Sequence, residues 1–141
     1  MFKQILVPVD LSHEDHIQRL IQVAEKLASD EGATLNLLYV DQSLIHGAGY
    51  PHLDKSSVAA HQKDAIATME KHLQELPDGI TGKSLCREGT AHDQILETAS
   101  KIKADAVVMM AKKPGLTSYF IGSNAERVVR HAGCSVFVIR E

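Results

Sequence analysis

The sequence predicts an α/β fold: three layers, doubly wound, around a five-stranded parallel sheet. Three observations lead there. Short apolar runs alternate along the chain with longer segments of helical periodicity, in the order strand–helix from one end to the other. Two of those runs, Ile5-Leu6-Val7-Pro8-Val9 and Ala106 to Met110, are continuously apolar, as expected of strands covered on both faces. The length, 141 residues, fits one ordinary domain; no linker or internal repeat marks a second, so residues 1–141 are read as a single domain.

The first strand ends near Pro8, whose missing N–H is least costly at a strand end. Asp10 follows, and Ser12 with Asp15 three residues later predicts a capped helix start. Ile17, Leu20, Ile21, Ala24, Leu27 and Ala28 form that helix's apolar stripe, and Asp30-Glu31-Gly32 stops it, with Gly32 as a left-handed residue past its end. Thr34 to Val40 is the second strand. From Asp41 to about Ser56 the chain is irregular and rich in Gly, Ser and His, long for a connection inside a domain. Helical spacing resumes at Val58, Ile66, Met69, Leu73 and Leu76 and breaks at Pro77-Asp78-Gly79.

Gly82 to Arg87 is short and polar, which suits a sheet edge. Thr90 with Asp93 caps a helix bearing Ile95, Leu96, Ala99 and Ile102. Ala106 to Met110 is the fourth strand. Its following loop holds Lys112, Lys113, Pro114 and Gly115 and enters a helix at Gly122-Ser123, where Ser123 and Glu126 have capping-box spacing. Val128, Val129 and Ala132 give that helix its apolar face, Gly133 ends it, and Ser135 to Ile139 closes the sheet.

Composition narrows the function. With 44% hydrophobic and 23% charged residues, the chain has the balance of a soluble globular protein. It has no apolar run of membrane-spanning length and no signal-peptide pattern, so the cytoplasm is expected and a membrane partner is not. A net charge of −3 without a basic stripe argues against nucleic acid. Cys86 and Cys134 lack metal or redox spacing and are expected to be buried or half-buried thiols. Eight histidines invite a metal reading, but His13 and His16 show no partner spacing and His131 suits a helix C-terminus, so no metal site is expected.

In open sheets of this class, ligands bind beyond the carboxyl ends of the strands, where strand order reverses. Asp10, Val40 and Ala111 all lie just past strand ends, and they ring one crevice if the first and fourth strands are neighbours. The helix start at Gly122-Ser123 offers unpartnered N–H groups and a partial positive charge suited to phosphate, with Lys112 and Lys113 adding cationic donors. Asp10 could accept a hydrogen bond from an adenine amino group or a ribose hydroxyl. The first turn lacks a dinucleotide glycine fingerprint, and neither a GxxxxGK[ST] run nor a GxSxG elbow is present. A phosphoacceptor receiver domain is disfavoured because Leu11, not a second acid, follows Asp10.

Three stretches resemble the universal stress protein family: Ile5-Leu6-Val7-Pro8-Val9-Asp10-Leu11-Ser12, the His92–Ala104 helix with Asp105-Ala106-Val107-Val108-Met109-Met110, and Gly122-Ser123 through Cys134-Ser135-Val136-Phe137-Val138-Ile139. The resemblance spans essentially the whole chain and implies an adenine-nucleotide-hydrolase-like sheet of order 3-2-1-4-5. Nucleotide-binding members carry Gly-x2-Gly-x9-Gly-Ser/Thr after the fourth strand. Here Ala111 replaces the first glycine, Gly115 is off register and the loop is two residues shorter, closer to the short-loop, UspF-like branch.

The resemblance implies a bound ATP, with or without Mg2+, and a cytoplasmic regulator of stress response rather than an enzyme with clear catalytic residues. Asp10 and Val40 would then hold adenine and ribose, and Pro8 and Val9 would line the base. Ala111 would lie against ribose and phosphates, and Gly122, Ser123 and Asn124 would bind phosphates. Met110 and Ala125 flank these positions and complete the candidate site. It also implies a homodimer, or a tetramer built from it, through the Ser135–Ile139 strand. The alternative is a nucleotide-free adaptor of the same fold acting through its dimer surface.

Overall fold

Leu6 sits between two residues that point the opposite way, and Ile5, Leu6 and Val7 are all fully buried. Side chains alternate across a strand, so this burial requires cover on both faces of the sheet. The computed structural model, which describes residues 1–43, 55–112 and 122–141, supplies it. Along those residues the order is β1 (Gln4–Pro8), α1 (Glu14–Leu27), β2 (Ala33–Asp41), α2 (Lys55–Leu73), β3 (Ile80–Glu88), α3 (Ala91–Lys101), β4 (Ala106–Met110), α4 (Ser123–His131) and β5 (Ser135–Ile139). The sheet is parallel, with order β3-β2-β1-β4-β5, and β1 pairs β2 from Gln4 opposite Thr34 to Pro8 opposite Leu38.

Ile5, Val7, Leu35 and Leu37 face one way and pack with Ile17, Leu20, Ala24 and Met69 of α1 and α2. Leu6, Leu38 and Val107 face the other way, against Ile95, Ala99, Ala125 and Val128 of α3 and α4. Three layers result. Because chain order reverses between β1 and β4, the switch point lies between these two strands.

Two polar devices fix the strand starts. Asp105 accepts hydrogen bonds from the Lys3 and Gln4 N–H groups at 2.9 and 3.0 Å, tying the entry of β1 to that of β4. Asn36 is buried inside β2, where its amide donates to the Ile5 carbonyl at 3.2 Å and to the Gln4 side chain, also at 3.2 Å. These bonds offset the cost of placing an amide in the core.

Several expected boundaries shift. The cap of α1 is His13, not Ser12, because Ser12 instead closes a turn on Asp10. The helix ends at Leu27, and Ala28 is extended and bridges Phe2, so Gly32 (φ +77°) serves the turn into β2 rather than the helix end. Thr90 does cap α3, but its hydroxyl bonds the Asp93 carboxylate at 2.7 Å instead of a backbone N–H. α4 starts at Ser123 with Gly122 as its cap, so the Ser123 capping box does not form. Val129 is 49% exposed, leaving Ala125 and Val128 as the buried stripe of this helix. β3 is longer than expected and lies at the sheet edge, as its polarity indicates. Most of the irregular segment after β2 (44–54) lies outside the described residues.

Candidate functional site

The carboxyl end of β1 builds the first wall. The Val9 N–H donates to the Leu38 carbonyl at 2.9 Å, which holds the chain beside β2 as far as Asp10. There the backbone turns. Asp10 Oδ1 accepts from the Ser12 N–H at 3.0 Å and from the Ser12 hydroxyl at 2.6 Å. Burial pushes the Asp10 carboxyl up, but the Ser12 bonds, aided by the nearby His13 and His16, outweigh it and leave the pKa below the ordinary value. Asp10 is therefore an anionic acceptor at neutral pH.

The second wall is the exit of β4. The Ala111 N–H donates to the Ile139 carbonyl at 2.8 Å, continuing the β4–β5 ladder one residue past the strand. Among the described non-glycine residues only Lys103 has positive φ, so Ala111 keeps an ordinary backbone and its methyl group imposes no left-handed strain. Gly122 does need glycine: it has φ +103° and ψ 147°, and a Cβ placed there would lie 2.8 Å from the Lys112 Cβ. The two ends of the loop thus touch, which sets the start of α4 against the exit of β4. The Gly122 carbonyl accepts from the Glu126 N–H at 3.0 Å, while the N–H groups of the first turn have no intrahelical partner.

These walls enclose an open crevice of about 990 Å3. Pro8, Val9, Asp10, Val40, Met110, Ala111, Lys112, Gly122, Ser123, Asn124 and Ala125 all line it. Lys113 lies outside the described residues, as do Gly115 and the Tyr119-Phe120-Ile121 stretch behind the short-loop resemblance. The sequence reading missed His13, His16, Tyr39 and Glu141, which also line the crevice. The His13–His16 spacing was the visible signal for the first two. Nothing local could have brought Glu141 to α1. Tyr39 is held by a 2.8 Å hydrogen bond with His61. The two thiols are free and half-buried, and burial raises both pKa values, so neither is primed as a nucleophile.

A doubly wound parallel sheet with its crevice at the β1–β4 reversal places the chain among α/β proteins that take ligands at the switch point. A model of the universal stress protein family matches residues 1–140, and the chain belongs to that family. It is 31% identical to universal stress protein G of Shigella flexneri over 145 residues, covering 99% of this chain and 100% of that protein. The universal stress protein UspA from Lactobacillus plantarum superposes with a TM-score of 0.70 at 30% identity, over 98% of this chain and 97% of that one. The universal stress protein from Archaeoglobus fulgidus in complex with dAMP shares the fold, with a TM-score of 0.63 at 21% identity over 97% of each chain. No helix among the described residues is long and apolar enough to cross a membrane.

Proposed function

We propose that the chain binds ATP in the β1–β4 crevice, and that occupancy regulates its conformation or association during stress. One observation carries this reading: the ends of β1, β2 and β4 and the N-terminus of α4 converge on a single crevice of ligand-pocket size. Asp10 would use the oxygen not taken by Ser12 to accept from adenine or ribose, beside Val40. Pro8 and Val9 offer an apolar floor for the base, and Met110 and Ala111 line the approach to the sugar and phosphates. The N–H groups of Ser123, Asn124 and Ala125 and the Ser123 hydroxyl would face the triphosphate, with the exposed Lys112, and Lys113 next to it in sequence, contributing charge. Mg2+ would enter with the phosphates, as a hard cation that keeps much of its own water. A family relative solved with dAMP supports an adenine nucleotide as the ligand.

Native mass spectrometry of gently desalted protein tests the reading. ATP should co-purify with the folded chain. A folded chain that stays empty, and remains so after incubation with millimolar Mg-ATP, would favour the nucleotide-free adaptor.

A further inference from the structure

We infer that the first turn of α1, together with Glu141, forms a binding site for a divalent transition-metal ion of the zinc type at the rim of the crevice. This inference does not depend on nucleotide binding.

His13 and His16 are three residues apart, so a helical start brings them onto one face. Their rings stack at a centroid distance of 4.8 Å and an interplanar angle of 27°. One donor atom each from His13, Asp15 and His16 lie within 4.8 Å of one another. Glu141, which follows β5, brings a fourth donor from the far end of the chain: its Oε1 is 2.5 Å from His16 Nε2. Asp15 Oδ2 is 4.0 Å from the same nitrogen.

Zinc–nitrogen and zinc–oxygen bonds run about 2.0–2.2 Å, so two ligands of one ion stand no more than roughly 4.4 Å apart. Drawing one donor each from His13, Asp15 and His16 onto an ion therefore needs side-chain movement of less than about an ångström by that same geometry, and Glu141 joins them by moving out of its 2.5 Å contact with His16 Nε2. His13 and Asp15 are exposed and can move that far. The partial positive charge of the helix N-terminus opposes a cation here, and the carboxylates of Asp15 and Glu141 offset it. Two imidazoles and two carboxylates suit zinc or nickel better than magnesium, which prefers an all-oxygen shell. A bound ion would clamp the start of α1 to the segment after β5, two parts of the sequence 125 residues apart.

The test is calorimetry on the untagged, nucleotide-free full chain, titrated with Zn2+ and separately with Mg2+, backed by the visible absorption of the Co2+ form. One Zn2+ per chain is expected. His13→Gln and His16→Gln should each weaken it by on the order of tenfold or more, Glu141→Gln by less, and His131→Gln not at all. The Co2+ d–d bands should disappear in His16→Gln while its circular dichroism stays native. Absence of saturable Zn2+ binding, unchanged affinity in the His13→Gln/His16→Gln double variant, or Mg2+ binding as tight as Zn2+ would each overturn the assignment. Because no nucleotide is added, such a failure leaves the ATP proposal standing.

Discussion

Replacing Gly122 by alanine probes the hinge on which the proposed phosphate site depends. At φ +103° and ψ 147° a non-glycine residue is strained by about 1–3 kcal/mol. The new methyl group would also sit 2.8 Å from the Lys112 Cβ, closer than side-chain carbons approach, so the loop ends must separate. If the free variant relaxes that strain by moving the start of α4, ATP binding must restore it. The affinity loss is then roughly 5- to 150-fold, at 1.4 kcal/mol per tenfold. Folding should survive, because the cost is small beside the ~5–15 kcal/mol of a typical domain. Gly32→Ala is the matched control. Gly32 also has positive φ (+77°) but has open space around it and lies at the amino end of β2, away from the crevice. Gly32→Ala should lower the urea midpoint and leave ATP affinity unchanged. Calorimetric titration of both variants with Mg-ATP, with urea unfolding alongside, reads out both effects. Wild-type affinity in a Gly122→Ala protein whose stability has fallen would refute this hinge role. Gly122→Val should abolish binding altogether with far-UV circular dichroism intact.

Other expectations follow from the same structure. Asp41 is buried at the end of β2. Burial raises its pKa, but Ser43, whose N–H donates at 2.9 Å, and Gln62 at 3.1 Å, with help from His61, bring it below its ordinary value. A depressed folded pKa stabilises above the unfolded value and loses that stabilisation as pH falls through the folded one. Asp41→Asn should therefore cost about 1 kcal/mol at pH 7, by urea unfolding, and nothing once pH is well below 3.8; a constant difference across pH would show that the charge is not responsible. β5 is an edge strand whose Val136, Phe137, Val138 and Ile139 are only half-buried, and pairing it with a second copy would give a two-fold dimer. Val138→Lys should shift sedimentation from dimer to monomer; a wild-type monomer at micromolar concentration, with and without ATP, would exclude the dimer. Fast ATP hydrolysis is not expected, and a steady turnover of about one per second that Ser123→Ala abolishes would reveal an overlooked catalytic group.

The fold was legible because its signals are periodic. Continuous apolar runs marked β1 and β4, polar composition marked the β3 edge, and strand–helix alternation implied the parallel sheet. The crevice followed from where strands end, so Asp10, Val40 and Ala111 could be placed together before their contacts were known. Capping was less legible. Ser12 and Ser123 have the right neighbours for a cap, yet the Asp10 carboxylate captures Ser12, and the left-handed Gly122 takes the cap position ahead of Ser123. Both outcomes depend on a tertiary setting that a four-residue pattern does not encode. Glu141 beside His16 is a contact across 125 residues, set by the register of β5 on β4 and by α1 crossing the sheet. Val129 shows the remaining ambiguity: on a nine-residue helix, one position of rotation separates the buried Val128 from solvent.

In the proposed complex, ATP occupies the β1–β4 crevice. Titration of the 15N-labelled full chain with Mg-ATP, followed by amide chemical shifts, tests binding and location together. Saturable shifts should concentrate at Val9, Asp10, Val40, Ala111 and Gly122 to Ala125, with the backbone at Gly32 and along β3 unmoved. No shift at millimolar ATP, or shifts centred away from the β1–β4 switch, would contradict it.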